Sequence, residues 1–312
     1  MARLTERRLV IVVRPTRLDE LLARFNTREQ ARFYVESLGG DFADYVAEHA
    51  HYEAALTRTE RALEEIGRVH RLKRAHVPSY LFGPDDVVIA LGQDGLVANT
   101  LKYLDGQAIV GVNPDPARWD GVLLPFAPDD VGNAVREHVA GARGLHEVVM
   151  ARARLNDGQE LYAVNDLFIG PRSHVSARYT IAIAGREERQ SSSGIIVSTG
   201  LGSTGWLRSL YAGWAGMSAG LAGTKPSLPG DGRFDWNTPE LRFCVREPYP
   251  SKWTGAELVY GVVDGRHPLR IASLMPENGV IFSDGIEADC LAFNSGAVAT
   301  IAVADRRGLL VV

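Results

Sequence analysis

The sequence Gly-Gln-Asp-Gly at residues 92–95 combines an anion site with a candidate base. It follows the apolar run Val87 to Leu91, which is typical of a parallel strand covered on both faces. Glycines let the backbone turn sharply and bring N–H groups close to an anion, and the helix that starts here adds partial positive charge. A carboxylate beside phosphate is repelled unless it binds a proton or a metal ion, so Asp94 is a candidate catalytic base. The structural alternative is a solvated Asp-Gly turn.

Two adjacent polar residues, Asn165 and Asp166, interrupt an apolar run from Tyr162 to Ile169. Burying a carboxylate or an amide without a partner costs several kcal/mol, so both side chains need partners. A ribose diol or an adenine edge would satisfy them, because Asp accepts hydrogen bonds and Asn both donates and accepts. A β-bulge or turn with both side chains in water fits the same residues.

A third polar segment, Ser198 to Trp206, contains a Gly-x-Gly-x-x-Gly string between a predicted strand and a predicted helix. A dinucleotide-binding Rossmann turn has this string, but it also needs an acidic residue about 20 residues later, at the end of a parallel strand. That region, Leu221 to Gly232, has the composition of a loop, which argues against a Rossmann turn. The segment can still bind a phosphate or a ribose, with Trp206 offering a flat face to a base. Alternatively, its hydroxyl groups cap the following helix.

The elements that must position these residues fall into two halves. The first half alternates strands and helices, which predicts a parallel sheet with helices on both faces. The predicted strands are 9–13, 87–91 and 108–112, and the predicted helices are 18–36, 42–66, 97–103 and 128–140.

The second half, after Gly144, has short β-branched or alternating runs separated by turn signals. The predicted strands are 148–155, 160–169, 178–184, 195–198, 241–245, 280–282 and 297–303, with a hairpin tip at 186–189 and an exposed loop at 220–231. The fold class is therefore an α/β domain with a parallel sheet followed by a β-rich domain.

Composition excludes several function classes. The 312 residues are 46% hydrophobic, enough to bury a core in each of two domains. The net charge of -4 gives no general attraction to nucleic acid or anionic membranes, so we expect neither as a partner. The two cysteines, Cys244 and Cys290, have no paired spacing, and the eight histidines are scattered, so no metal ligand is assigned. With no signal-peptide or membrane-span pattern, we expect a cytoplasmic protein.

The motifs occur in a characteristic order. They are Gly-Gln-Asp-Gly at 92–95, Gly-Val-Asn-Pro-Asp-Pro at 111–116, Asn-Asp at 165–166, Gly-Ile-Ile-Val-Ser-Thr-Gly-Leu-Gly-Ser-Thr-Gly-Trp at 194–206 and Ser-Asp-Gly at 283–285. This order resembles the NAD kinases, especially their mitochondrial-type branch and its bacterial relatives, in the diacylglycerol-kinase-like superfamily. The resemblance covers essentially the whole chain. It implies an α/β domain at 1–142, a β-rich dinucleotide-binding domain at 143–285, a segment at 286–312 returning to the first domain, and an active site between the domains.

The resemblance also implies a reaction and its residues. A kinase of this family transfers the γ-phosphoryl group of ATP, with Mg²⁺, to the adenosine ribose 2′-hydroxyl of NAD and forms NADP. Phosphoryl transfer depends on positioning and charge neutralisation, which a backbone anion site and one base can supply. Asp94 would be the catalytic base, and Gly92 and Gly95 would form the phosphate turn. The dinucleotide site would comprise Asn165, Asp166, Ser193, Thr204, Gly205, Trp206 and Ser209. We further expect a homodimer or a higher homo-oligomer.

Four positions depart from the commoner family pattern. Gln93 and Leu96 replace a glycine and a threonine, which adds a side chain where phosphate should approach and removes a hydroxyl. Ser193 stands where the commoner branch has an aspartate, as in the mitochondrial type, and Trp206 replaces a tyrosine. Other functions therefore stay open. They are a related kinase with a lipid or other hydroxyl substrate, a non-catalytic nucleotide-binding regulator, and an oxidoreductase supported by the 200–205 string alone.

Overall fold

The computed structural model describes residues 4–224 and 226–312, which form two compact units. Unit 1 runs to His146 and includes Leu309–Val312, and unit 2 is Glu147–Gly308. Unit 1 alternates helices with a parallel sheet, whereas unit 2 is dominated by antiparallel strands. The predicted fold class, α/β followed by a β-rich domain, is confirmed.

Unit 1 is built on a parallel sheet. Its elements are β1 (Arg8–Val13), α1 (Arg17–Phe25), α2 (Arg28–Ser37), α3 (Phe42–Glu64), β2 (Arg68–Lys73), β3 (Val87–Leu91), α4 (Asp94–Leu101), β4 (Ala108–Val112) and α5 (Val131–Val139). The strand order is β2-β1-β3-β4, and all these neighbours are parallel. Every residue of β3 and β4 is buried, which explains their uninterrupted apolar sequences.

The strand order reverses between β1 and β3. From β1 the chain passes to β2 on one side of the sheet, and it then returns to β3 on the other side. In open parallel sheets, ligands bind at the carboxyl ends of the strands where the order reverses in this way. Arg14 directly follows β1 and Gly92 directly follows β3, so both lie at this position.

Unit 1 differs from the sequence prediction in two places. The single helix predicted at 18–36 is two helices, because Asn26 takes a left-handed φ of 64° at the end of α1 and the Thr27 side chain caps α2. Strand β2 was missed. Its residues are mostly exposed, with Leu72 the one buried residue, so its sequence lacks the apolar pattern that marks β1, β3 and β4.

Unit 2 contains most of the strands. They are β5 (Leu145–Leu155), β6 (Glu160–Ala163), β7 (Asp166–Pro171), β8 (Ala177–Ile183), β9 (Arg186–Ser192), β10 (Ile195–Ser198), β11 (Leu241–Val245), β12 (Tyr260–Val263), β13 (Leu269–Ser273), β14 (Gly279–Ser283), β15 (Ile286–Ala292) and β16 (Val298–Val311), with helix α6 (Trp206–Ala222). Strands β5 and β16 extend past the unit's borders into unit 1. One sheet has the order β12-β11-β10-β7-β14-β15, and β16-β13-β8-β9 form the other, to which β5 and β6 are joined.

The two sheets of unit 2 share one core. Alternate residues of β7 and β10, such as Leu167 and Val197, point into it together with Tyr179 and Ile271 from the other sheet. The intervening residues, such as Phe168, face helix α6 instead.

Three predictions for the second half need correction. The strand predicted at 160–169 is broken at 164–165, where β6 ends and β7 begins. The predicted loop at 220–231 starts later, because α6 continues to Ala222 and the left-handed Gly223 ends it. The predicted hairpin tip at 186–189 lies inside β9; the turn is formed by Ala184 and Gly185, both with positive φ.

Among the described residues, no helix combines the length and the apolar composition that crossing a bilayer would require.

Candidate functional site

The Asp94 carboxylate is oriented by a main-chain hydrogen bond. Asp94 is the first residue of α4, and the backbone N–H of Leu123 donates to its Oδ1 at 2.7 Å. The side chain is half-buried. One carboxyl oxygen is thus held in place while the other, Oδ2, lies outside this hydrogen bond. A fixed, partly exposed carboxylate at a strand's carboxyl end is the arrangement that a general base requires.

A glycine in the next strand allows this hydrogen bond. A Cβ on Gly111 in β4 would overlap the carbonyl oxygen of Leu123, so the 121–124 segment crosses the strand in direct backbone contact. Gly111 therefore fixes the distance of Leu123 from the sheet. The motif that begins at Gly111 thus contributes to the position of Asp94 through the backbone.

Arg14 places a positive charge beside the phosphate turn. Its side chain packs against Gly92, since a Cβ built on that glycine would lie 3.6 Å from both Cδ and Nε of Arg14. The Nε atom is buried without a hydrogen-bond partner, while Nη2 contacts Glu48 at 3.4 Å. A buried donor without a partner is costly, and an anion bound at the turn would supply one.

Tyr52 bridges the carboxyl ends of β1 and β3 by hydrogen bonds. Its hydroxyl accepts from the Arg14 backbone N–H and donates to the Leu91 carbonyl, each at 3.1 Å. Burial raises the pKa of the Tyr52 hydroxyl to about 12, so the group keeps its proton. Arg14 and the Gly92 turn are therefore held in register by a neutral donor and acceptor from α3.

Gln93 and Leu96, the two unusual residues at the Gly92–Gly95 turn, have different surroundings. Leu96 is buried, and its Cδ2 would lie 2.9 Å from a Cβ on Gly92, so it packs directly under the turn. Gln93 is half-buried and precedes α4 as its N-cap, with no hydrogen bond from its side chain to the helix. Gly95 has open space around it. The turn thus keeps an open backbone at Gly95 although a leucine occupies the position of the family's hydroxyl.

In unit 2, the turn at Val164 to Asp166 is bound from one side by the Asp284 carboxylate. Its Oδ1 accepts from the backbone N–H groups of Val164 at 3.1 Å, Asn165 at 2.7 Å and Asp166 at 3.4 Å. Its Oδ2 also accepts from Val164 at 3.1 Å. In return, the Asp284 N–H donates to the Asp166 carbonyl at 3.0 Å. The strand breaks here because these amides bond to a carboxylate rather than to a neighbouring strand.

The other side of the same turn is bound by the segment after β10. The Thr199 hydroxyl donates to the Val164 carbonyl at 2.5 Å, and the Thr199 N–H donates to the Asn165 carbonyl at 2.9 Å. A Cβ on Gly202 would overlap that Asn165 carbonyl oxygen. Thr199 and Gly202 therefore fix the position of the Asn165 backbone, and with it the directions of the Asn165 and Asp166 side chains.

Asp166 is the buried carboxylate of this site. It is 8% exposed, and it lies on the same face of β7 as Phe168, toward helix α6. Burial raises the pKa of the Asp166 carboxyl to about 7, and the nearby Asp284 carboxylate adds to this increase. The alternative of a turn with both side chains in water is thus wrong for Asp166, whereas Asn165 is half-buried.

The raised pKa of Asp166 predicts a pH-dependent stability. The folded protein keeps this proton up to pH about 7, whereas the unfolded chain loses it near 3.8, so the free energy of unfolding falls as pH rises between these values. Asp166→Asn should remove this decrease and, by pH 8, be more stable than the wild type by up to about 4 kcal/mol. Urea unfolding from pH 4 to 8 measures the difference. The exposed Glu287→Gln is the control and should change the pH profile little. Parallel profiles for the wild type and Asp166→Asn would contradict the prediction.

The remaining predicted dinucleotide residues lie around the start of α6. Thr204 and Gly205 are exposed, directly before the helix, and Ser209 is exposed in its first turn, with its hydroxyl 3.4 Å from the Gly205 carbonyl. Ser193 is exposed before β10, and its N–H donates to the Arg246 carbonyl. No hydroxyl side chain caps α6, so the capping alternative is wrong for this segment. Binding roles for these residues stay predictions.

Trp206 packs α6 onto the sheet. Its ring stacks on Phe168 with centroids 5.8 Å apart and an angle of 5° between the planes. The Arg246 guanidinium lies 5.5 Å from the Trp206 ring centroid. The indole therefore has a structural role, and its predicted contact with a base stays a prediction.

The segment around Gly200 is not a Rossmann turn. Strand β10 before it runs antiparallel to both of its neighbours, β7 and β11. A Rossmann turn follows a strand of a parallel sheet. Gly200 and Gly202 are instead sites of close backbone crossing, against Asp235 and Asn165 respectively.

Within the described ranges, no group of three or more His, Cys, Asp or Glu side chains is arranged to hold a metal ion. A nucleotide-bound Mg²⁺ does not need such a group, because one or two carboxylates and the substrate phosphates usually share the ion.

Four residues that orient the candidate side chains have no role predicted from the sequence: Arg14 and Leu123 in unit 1, and Thr199 and Asp284 in unit 2. Arg14 carried one usable signal, since it directly follows a predicted strand. Leu123 acts through its backbone N–H, whereas the Thr199 and Asp284 side chains bind backbone groups of the turn at Val164 to Asp166. The partners of all three are distant in sequence.

No family model matches this chain. An NAD kinase from Chlorobaculum tepidum is 29% identical over 124 residues, which is 39% of this chain and 43% of that protein. The matched region thus spans about two fifths of the relative's length.

A solved structure is similar over nearly the whole chain. It is an NAD kinase from Archaeoglobus fulgidus in complex with ATP, with a TM-score of 0.57 and 16% sequence identity, covering 97% of this chain and 92% of that one. At this identity the likeness establishes the fold. The resemblance derived from the order of the motifs is thereby confirmed, while the mitochondrial-type branch stays a prediction: this chain has the fold of the NAD kinases and, in part of its sequence, is similar to one of them.

Proposed function

We propose that this protein is a kinase that transfers the γ-phosphoryl group of ATP to the adenosine ribose 2′-hydroxyl of NAD and forms NADP. The observation that carries the proposal is the Asp94 carboxylate, held by the Leu123 N–H at the point where the strand order reverses. The Arg14 side chain lies against the same turn. A base and a cation at one backbone turn are the groups that phosphoryl transfer to an alcohol needs.

The residues of unit 1 have distinct roles in this proposal. Asp94 accepts the proton of the attacking hydroxyl through its less constrained oxygen, Oδ2. Gly92 and Gly95 let phosphate oxygens approach the backbone, and Arg14 neutralises part of their charge. Mg²⁺, when bound with ATP, would offset the remaining phosphate charge, with the phosphate oxygens as its ligands.

In unit 2, Asn165 and Asp166 would hold the dinucleotide. The ionised Asp166 carboxylate accepts from ribose hydroxyls or an adenine amino group, and the Asn165 amide both donates and accepts. We assign supporting contacts to Ser193, Thr204, Gly205, Trp206 and Ser209. The proposal includes the mitochondrial-type branch of the family, a cytoplasmic location and a homo-oligomer.

Product analysis tests this function. The purified protein is incubated with ATP, Mg²⁺ and NAD, and NADP is measured with an NADP-specific dehydrogenase; we expect NADP to accumulate with time and protein concentration. Other nucleoside triphosphates, polyphosphate and NADH are tested in parallel to identify the donor and the acceptor. If calorimetry detects NAD binding but no donor yields product, the kinase assignment is wrong. That result would favour a nucleotide-binding regulator, which the buried Leu96 at the motif's hydroxyl position makes the second candidate.

A further inference from the structure

Asp284 lies in a tight turn. It and Gly285 connect β14 to β15 as a two-residue hairpin loop, with φ of 53° and 72°. Positive φ at both positions is the type I′ turn, for which Asn-Gly and Asp-Gly are favoured sequences. Turn formation alone therefore explains the small polar residue, but it does not require a negative charge at this position.

The carboxylate has a second set of partners that the turn does not require. Its oxygens accept hydrogen bonds from three consecutive amides, those of Val164, Asn165 and Asp166. Three N–H donors suit an ionised carboxylate, which only accepts. The hairpin loop thus supports, from behind, the two side chains assigned to the dinucleotide.

The strands beside β7 bring few charged groups near Asp166. Its register partner on β10 is the uncharged Ser198, and the partner of Ser198 on β11 is Arg242. The guanidinium groups of Arg242 and Arg246 each lie over an aromatic ring. On the other side of β7, strand β14 ends directly before Asp284, and Asp284 is the charged group that acts on Asp166.

We propose that Asp284 is the positioning residue of this site: its carboxylate holds the Asn165–Asp166 turn by the backbone and acts on the Asp166 side chain as a fixed negative charge. The site then keeps two neighbouring carboxylates: Asp284 is bonded to the backbone of the turn, and Asp166 faces the ligand. The assignment of that ligand as NAD rests on the proposed function. The interaction between the two carboxylates does not.

A double-mutant cycle tests the charge effect without any ligand. The variants are Asp166→Asn and Asp284→Asn, singly and together, with unfolding free energies measured from pH 4 to 8. Asp284→Asn keeps a favoured type I′ sequence and an acceptor oxygen while it removes the charge. In the Asp284→Asn background, the stability gained from Asp166→Asn should stop increasing at a lower pH than it does in the wild-type background. At pH 8, the factor by which Asp166→Asn raises the folding equilibrium constant should be smaller by about tenfold or more.

Two further variants distinguish the charge effect on Asp166 from a general loss of stability. Asp284→Gly also suits a type I′ turn, removes the carboxylate completely and should act in the same direction. Glu188→Gln is the matched control, because Glu188 also accepts from consecutive backbone amides, those of Glu257 and Leu258. This control should lower stability but leave the effect of Asp166→Asn unchanged. If Asp166→Asn has the same pH-dependent effect with and without Asp284, the loop is only a turn and the proposal is wrong.

NAD binding provides a separate measurement. The Kd of NAD, measured by calorimetry across the same pH range, should reach its lowest value at lower pH in Asp284→Asn than in the wild type, because Asp166 ionises earlier. If the wild type does not bind NAD, the proposed function fails, while the stability cycle still decides the role of Asp284. If NAD binds and its pH dependence is unchanged in Asp284→Asn, the positioning role is contradicted.

Discussion

Replacing Asp94 with Asn should lower the rate of NADP formation by about 10² or more. The amide keeps the oxygen that accepts from the Leu123 N–H, so the turn should keep its shape. It cannot take a proton from the ribose hydroxyl, so the loss should fall on kcat, with the KM values changed little. Steady-state kinetics with varied ATP and NAD measure both parameters.

The control for this variant is Asp85→Asn. Asp85 is an exposed carboxylate in the loop before β3, and its replacement should leave kcat unchanged. Thermal unfolding of both variants verifies that the fold is retained. A fully active Asp94→Asn protein would show that another group accepts the proton.

The second large effect is expected from Gly202→Ala, which should lower the free energy of unfolding by about 3 kcal/mol. The new Cβ would overlap the Asn165 carbonyl oxygen, and this neighbour is backbone that cannot rotate away. Relief requires the Asn165–Asp166 turn to move from Thr199, so NAD binding should weaken as well. Urea unfolding and calorimetry with NAD measure the two effects.

Gly216→Ala is the matched control for the glycine substitution. Gly216 is exposed within helix α6, with open space where a Cβ would stand. Alanine is favoured over glycine in a helix by about 1 kcal/mol, so this variant should be equally stable or more so. Equal stability of Gly202→Ala and the wild type would mean that the two backbone segments do not cross closely.

The α/β part of the fold was predictable because its strands are buried on both faces. The apolar runs of β1, β3 and β4 need no knowledge of their neighbours, and the strands predicted at 87–91 and 108–112 match the structure. Strand β2 was not predictable in this way, since an exposed edge strand has no apolar pattern. The division of the predicted helix at 18–36 depended on Asn26, which accepts a left-handed conformation more readily than most residues.

The site was only partly predictable, for a different reason. Asp94 and Asp166 could be identified because each places a carboxylate next to an apolar strand, where a charge needs an explanation. The residues that orient them are not recognisable from the sequence, because Leu123 acts through its backbone and Asp284 is distant in the chain.

The Gly-x-Gly string shows a limit of motif interpretation. A glycine-rich turn predicts close approach of something to the backbone, and that expectation is correct at Gly200 and Gly202. The approaching group is another backbone segment of the same chain, Asp235 in one case and Asn165 in the other. Sequence alone does not distinguish a protein carbonyl from a phosphate.

The final strand has a consequence for the order in which this protein folds during synthesis. Leu309 and Leu310 of β16 pair with Ala108 and Ile109 of β4, so unit 1 takes one edge of its sheet from residues made after all of unit 2. Unit 2 is continuous in sequence and can fold on the ribosome as soon as its own residues emerge. Unit 1 begins first and finishes last, and until then Ala108 and Ile109 lack their strand partner on one edge of β4, whereas Val112 is already paired with Phe126. An open strand edge of this kind can pair with another chain.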